Sequence, residues 1–325
     1  MTLRTRGPRQ RRVKRSLLAA LTVGIVLAGC TVSGPDDDDG RGGDDRRDDQ
    51  VSSAPAGSVL AVKIDNVRPA RPQTGIEAAD IVYAEQVEGG LSRLMAVYAT
   101  KFPETVGPVR SARESDLELL RQFDEPTLAF SGAQGKLLPL IDRAPLRAET
   151  PQDAIDAYSR ADDRPAPHNL YLRPEKLLDS PPGTEALTTG FRYGPAPDGG
   201  SPEASRTVRY PAARFTFTWS DDRRGWLVSM DGAPTITTDD TRVAPATVVV
   251  QHVTVRESQF RDFLGNNTPY TETVGSGRAE ILRDGRAFEA NWERATPTDG
   301  TTFTAPDGKA LNFAEGQVWV VYARA

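Results

Sequence analysis

Cysteine is almost absent from this 325-residue chain, which has one, Cys30. A disulfide within the chain is therefore excluded, and so is a zinc site built on thiolates. Histidine is nearly as scarce: His168 and His252 are too few for a multi-histidine metal centre, and no metal or cofactor is expected. Membrane-spanning length is missing as well, because the apolar stretch Leu17 to Leu27 falls short of the ~20 residues a bilayer requires. The chain also lacks a Gly-x-Ser-x-Gly elbow, a Walker loop, a Gly-x-Gly-x-x-Gly turn and a His-Glu-x-x-His pair. The common nucleophile, nucleotide and zinc-hydrolase chemistries thus leave no signature here.

What is present begins with the placement of that cysteine. Arg4, Arg6, Arg9, Arg11, Arg12, Lys14 and Arg15 precede the apolar stretch, and Leu27-Ala28-Gly29-Cys30 closes it. A basic segment, an apolar core and small residues before a cut site mark a secretory signal. Cys30 directly after Ala-Gly resembles the lipobox of bacterial lipoproteins, which implies removal of residues 1–29, lipidation (palmitate) of Cys30 and anchoring to the outer face of the cell membrane. Arg11-Arg12 leaves the export route open between Sec and Tat. Loss of seven basic residues and no acidic ones takes the formal net charge from −5 to −12. Such an acidic chain is a poor bulk partner for nucleic acid, whose binding is driven by Lys and Arg.

Residues 30–56 read as a disordered acidic tether, since Asp36 to Asp39 and Asp44 to Asp49 leave almost nothing apolar to bury. The alternating Asp-x-Asp-x-Asp-Gly spacing of a calcium loop is absent. Beyond the tether the sequence predicts an α+β protein: a mixed α/β domain over 57–190, a Pro/Gly/Ser-rich linker over 191–213 and a small antiparallel β domain over 214–325. Val59 to Ile64 reads as a strand. Ile81 to Glu88 and Leu91 to Ala99 flank Gly89-Gly90 as a hairpin with a two-residue turn. That register places Gln86 opposite Arg93, Glu88 diagonal to Arg93, and Glu85 on the other face. Ser111 with Glu114 predicts a capping box and a helix from Ala112, and Thr150-Pro151 predicts a second helix start. In the second half, apolar runs such as Thr247 to Val255 alternate with Asp231-Gly232, Asp284-Gly285 and Asp307-Gly308 turns. All four tryptophans lie there and read as core anchors.

Several runs together carry a family resemblance. They are Lys63-Ile64-Asp65-Asn66, Ala70-Arg71-Pro72-Gln73-Thr74-Gly75, Ala79-Asp80-Ile81-Val82-Tyr83, Val87-Glu88-Gly89-Gly90, Arg93, and Gly107-Pro108-Val109-Arg110-Ser111-Ala112-Arg113. With Pro167-His168-Asn169-Leu170-Tyr171 they resemble the DUF3048 family of lipoproteins, which includes YerB-like proteins. Val248-Val249-Val250-Gln251, Gly275-Ser276-Gly277, Asp284-Gly285, Trp292 and Gly316-Gln317-Val318-Trp319 resemble the companion C-terminal domain. The family has no established activity to carry over. At Ser131-Gly132-Ala133-Gln134 the chain departs from the expected pattern, with neither a second glycine nor a histidine.

Three functions remain open. An anionic envelope ligand or a partner carboxylate fits Arg71, Arg93, Arg110 and Arg113, with Asp65, Asn66, Glu85 and Glu88 orienting them and the expected helix start at Ala112 adding backbone N–H donors. A hydrolase or transferase would use Asp65, Glu88 and His168 as acid–base groups. A structural or adaptor lipoprotein would instead pair Arg110 and Arg113 internally with Asp65, Glu85 or Glu88. Ser111 is expected to be spent as a cap, and His252 to be a sheet-face residue.

Overall fold

The structure is a computed structural model that describes residues 57–162, 164–262 and 265–325. The expected signal segment 1–29, the lipidation site Cys30 and the tether 30–56 lie outside the described residues. Strands open the fold: β1 (Leu60–Asp65), β2 (Ile81–Gln86) and β3 (Ser92–Tyr98), then the short β4 (Thr127–Ala129) and β5 (Arg147–Glu149). An isolated antiparallel pair follows, β6 (Tyr158–Arg160) with β7 (Leu170–Leu172). Next come β8 (Ser201–Pro202), β9 (Ser205–Arg209), β10 (Arg214–Ser220), β11 (Gly225–Met230) and β12 (Ala233–Pro234). The chain continues through β13 (Thr247–Val253), the hairpin β14 (Val255–Arg261) and β15 (Asn267–Thr271), β16 (Gly275–Arg283), β17 (Arg286–Arg294), β18 (Thr302–Thr304) and β19 (Val318–Arg324).

One large sheet runs β18-β17-β16-β13-β19-β2-β3-β1-β4-β5, with β8 pairing β17. Its centre is parallel, β13 with β19 and β19 with β2. This explains the unbroken apolar runs Thr247 to Val250 and Val318 to Val321, because strands covered on both faces need no polar alternation. On one face Val62, Leu94, Trp319 and Val321 lie under a four-stranded sheet ordered β12-β11-β10-β9. Trp319 packs edge-on against Phe215 and Phe217, with ring centroids 6.3 and 6.0 Å away. On the opposite face Ile81, Tyr83, Met95, Val97 and Val320 share a core with Leu119 and Leu120 of helix α1 (Glu114–Leu120) and Ile141 of α2 (Leu138–Ile141). Each such aliphatic or aromatic side chain contributes about 1.5–3 kcal/mol by leaving water.

The N-terminal half is therefore β-rich, not mixed α/β: its two α-helices are short, and its remaining helical turns are 3₁₀. The two halves expected as separate domains share the large sheet through the β19–β2 pairing, and the described residues fall in one compact unit. The segment 191–213, expected as a linker, supplies β8 and β9. Two turns came out as expected: Asp231-Gly232 and Asp284-Gly285 hold positive φ at both residues, the geometry of type I′ hairpins. Thr150 Oγ1 accepts from the Gln152 backbone N–H at 3.3 Å and donates to the Asp153 carboxylate at 2.6 Å, but only a turn and the 3₁₀ segment Ile155–Ala157 follow.

The first hairpin differs by one residue from its expected register. Its loop has three residues, Glu88–Gly90, closed by Val87 N–H donating to Leu91 at 2.9 Å. Gly89 (φ 67°) and Gly90 (φ 71°) both take left-handed backbone. Arg93 therefore faces Glu85, not Gln86, and a slip of one residue exchanges the faces. The helix start also moves. Asp116 accepts from the Arg113 backbone N–H at 2.6 Å, so the cap is Arg113 and not Ser111.

Candidate functional site

The row Asp65–Arg93–Glu85 crosses β1, β3 and β2 as direct opposites, which puts all three side chains on one face. Beyond the end of β4, residues 107–110 run along β1 instead. Asp65 N–H donates to the Pro108 carbonyl (2.9 Å), and Arg110 N–H donates to the Lys63 carbonyl (2.7 Å). On the other side Val106 and Leu172 exchange two backbone hydrogen bonds, and Val109 N–H donates to Leu170. This ladder brings both Arg110 and the His168 loop to Asp65.

Asp65 is fully buried. Its Oδ2 lies 2.8 Å from His168 Nδ1 and 3.1 Å from Arg110 Nε. Its Oδ1 has no hydrogen-bond partner. Behind it Arg93 is buried too, donating only from Nη1 to the Ser111 carbonyl at 3.3 Å and leaving Nε unpaired. Burial, then the charge of Arg113, pushes the Arg93 guanidinium down to about 10, against the pull of Asp65. The outer groups are open: the His168 side chain is 20% exposed and that of Arg110 27%. His168 Nε2 and both Arg110 Nη atoms carry no hydrogen bond among the described residues, and Arg110 Nε, although close to Asp65, makes none either.

The other expected residues are committed elsewhere. Arg113 grips Glu88 through two bonds of 2.7 Å, Nε to Oε1 and Nη2 to Oε2, and Thr268 Oγ1 donates to the same Oε1. Burial alone would raise the Glu88 carboxyl, but these partners hold it below its ordinary range. Arg71 pairs with Asp231 at 2.9 Å and donates to the Asn66 carbonyl at 2.6 Å, fastening the small sheet to the end of β1. Asn66 in turn donates to Ser92 and accepts from Gln73. Internal pairing of Arg110 and Arg113 with acids thus does occur. The anion site expected at the helix start does not form, because a seven-residue helix is capped there by its own Asp116.

Sequence reasoning missed a buried triad on the same face. Lys63 is fully buried and bonds Glu85 and, at 2.6 Å, Asp116, while Ser115 Oγ donates to Glu85 at 2.9 Å. Burial and the neighbouring Glu85 push Asp116 up to about 6, whereas Lys63 outweighs burial at Glu85 and holds it low. A lysine midway through an otherwise apolar strand was the available signal. His252 lies on the sheet face, 3.6 Å from Glu280. A cavity of about 800 Å³ beside it touches Trp292 and Glu289, but Glu280 there is already paired with Arg206. Among the described residues no group of His, Asp and Glu side chains is placed to hold a metal ion.

With this geometry in view, two family signatures match the chain, each described as a protein of unknown function: the DUF3048 N-terminal domain over residues 47–189 and the DUF3048 C-terminal domain over 206–320. The chain belongs to the DUF3048 family. It is 25% identical over 283 residues, 80% of each chain, to YerB of Bacillus subtilis (strain 168), whose name marks that protein as a candidate lipoprotein. The crystal structure of the YerB protein from Bacillus subtilis shares the fold, with a TM-score of 0.68 at 22% identity over 82% of this chain and 91% of the other. That likeness speaks for the β-rich architecture alone.

Proposed function

We propose that this chain is an exported lipoprotein, anchored to the outer face of the membrane through Cys30, that binds an anionic envelope ligand at Arg110 and His168. The anchor is supported by the Leu27-to-Cys30 lipobox and by the lipoprotein name of the YerB relative. The binding role rests on one observation: a buried carboxylate oxygen, Asp65 Oδ2, is hydrogen-bonded to an imidazole and ion-paired with a guanidinium, while the outer nitrogens of both make no hydrogen bond among the described residues. A guanidinium fork is shaped to capture two ligand oxygens, and the buried Arg93 adds positive potential behind it. Arg71 and Arg113 shape the surroundings and are not ligand contacts, because Asp231 and Glu88 occupy them.

Thermal unfolding of wild type and Arg110→Ala with inorganic phosphate, phosphorylated polyols and peptidoglycan fragments tests this reading. A true ligand stabilises by about 2.7 kcal/mol at 100 times its dissociation constant. The shift should shrink with salt and vanish in a folded Arg110→Ala protein. A variant that melts far lower, with no ligand shift in wild type, would make the arginine structural.

A further inference from the structure

The small sheet covers one face of the large sheet only as far as Arg206, which reaches Glu280 on β16. Beyond that line the register puts Arg278 opposite Asn291, Asn291 opposite Thr304, and Ser276 opposite Glu293. These side chains therefore share one face with Glu280 and Glu289, and most of them are exposed. Three hollows adjoin there. The one of about 800 Å³ beside His252 shares Arg278 and Asn291 with a second of about 350 Å³ that reaches Thr302 and Thr304. It shares Glu289 and Pro306 with a third of about 580 Å³. Together they form a groove that touches the four neighbouring strands β13, β16, β17 and β18. At strand spacing it spans roughly 14 Å, longer than a single small ligand requires.

The side chains of Arg278, Glu289, Asn291 and Glu293 make no hydrogen bond or ion pair among the described residues. Arg278 lies diagonal to both acids, within reach of long side chains, yet is joined to neither. A central guanidinium repels cations, and the flanking carboxylates repel anions. No surplus of positive charge draws in a polyanion, because Arg256 and Arg206 are already taken by Glu272 and Glu280. The backbone is spent as well: β16 pairs with β13 and β17, and β17 with β18, so a peptide cannot add here as a further strand. Trp292 is buried and offers no ring face for stacking. What the groove presents is a set of planar donors and acceptors suited to a neutral ligand whose own groups both donate and accept, as hydroxyls do. We propose that this groove binds a neutral oligosaccharide strand, with Arg278, Asn291 and Glu289 bonding its hydroxyls. It shares no lining residue with the site at Arg110 and His168.

The test titrates the full chain by calorimetry with chitotetraose and cellotetraose, and with tetralysine and a hyaluronan tetrasaccharide as charged counterparts. At least one neutral sugar should bind, with an affinity that added salt leaves unchanged, since no charged ligand is being screened. Arg278→Ala and Asn291→Ala stand at exposed positions and should melt like wild type. Binding should weaken about 10-fold or more in Arg278→Ala and about 3- to 10-fold in Asn291→Ala. Glu289→Gln, which keeps a planar acceptor, should bind better than Glu289→Ala. Failure of both neutral sugars to bind wild type overturns the proposal. Binding that survives Arg278→Ala and Asn291→Ala together overturns it too, because the sugar then sits elsewhere. Preference for tetralysine or for the hyaluronan fragment does the same, since charge and not hydroxyl pairing would then select the occupant.

Discussion

Arg113 and Glu88 meet fork to fork, through two parallel hydrogen bonds of 2.7 Å. The pair ties the β2–β3 loop to the residue that caps α1, and Thr268 brings β15 to the same carboxylate. Arg113→Lys keeps the charge and loses the second bond, so stability should fall by about 1.5–3 kcal/mol in urea unfolding. Because Glu88 is held below its ordinary value, this contribution is present above the unfolded carboxyl range and fades as pH drops through the folded value. An unchanged midpoint at neutral pH would show that the fork contributes nothing.

Lys63 serves two buried carboxylates at once. Lys63→Met strands Glu85 and Asp116 without a cation, and a loss of about 3–5 kcal/mol is expected in chemical denaturation. Replacing Lys63, Glu85 and Asp116 together with apolar residues should recover most of it, since the desolvation of all three charges is then avoided. If the single variant is as stable as wild type, the triad is not the fastening it looks to be.

Asp116 gives the triad a pH signature. Its folded value of about 6 stands above an aspartate's ordinary 3.8, so between those limits the folded chain holds a proton that the unfolded chain has released. Stability from Asp116 should therefore fall as pH rises across that window, opposite in sign to Glu88. Asp116→Asn, which keeps an acceptor for the Arg113 N–H, should flatten the wild-type decline in a urea series from about pH 4 to 7. A wild-type profile that rises steadily through the window would contradict the assignment.

Gly75 and Gly89 offer a controlled comparison. Both hold left-handed backbone, but a Cβ on Gly75 would run into the Thr105 carbonyl oxygen, while one on Gly89 meets nothing within 4 Å. Gly89→Ala should cost about 1 kcal/mol from backbone strain, and Gly75→Ala clearly more. Equal melting shifts would mean that the loop at Gly75 gives way freely.

Strand positions were legible because they depend on neighbours in sequence. Thr247 to Val253 and Val318 to Arg324 announce themselves as apolar runs, and Asp284-Gly285 as a type I′ turn. Their partners were not legible, since parallel pairing of β19 with β2 joins residues from opposite ends of the fold. The hairpin register failed on one residue: Gly89-Gly90 fits a two-residue turn, yet Glu88 joins the loop. At the site, Asp65, Arg93, Arg110 and His168 could be named from their types. Their convergence could not, because it depends on residues 106–110 being laced between β1 and the His168 loop. The helix at Ser111 failed because Asp116 competes for the cap with charge that a serine hydroxyl lacks.

The position of β19 has a consequence for how the molecule is assembled. It follows every other described strand, yet it fills the seam between β13 and β2 in the middle of the sheet. Until Val318–Arg324 arrives, β2 and β13 expose open edges to each other, and neither hydrophobic face can be completed. Folding of the sheet must therefore wait until Val318–Arg324 has been made, and loss of those few residues would split the sheet into two halves with sticky borders.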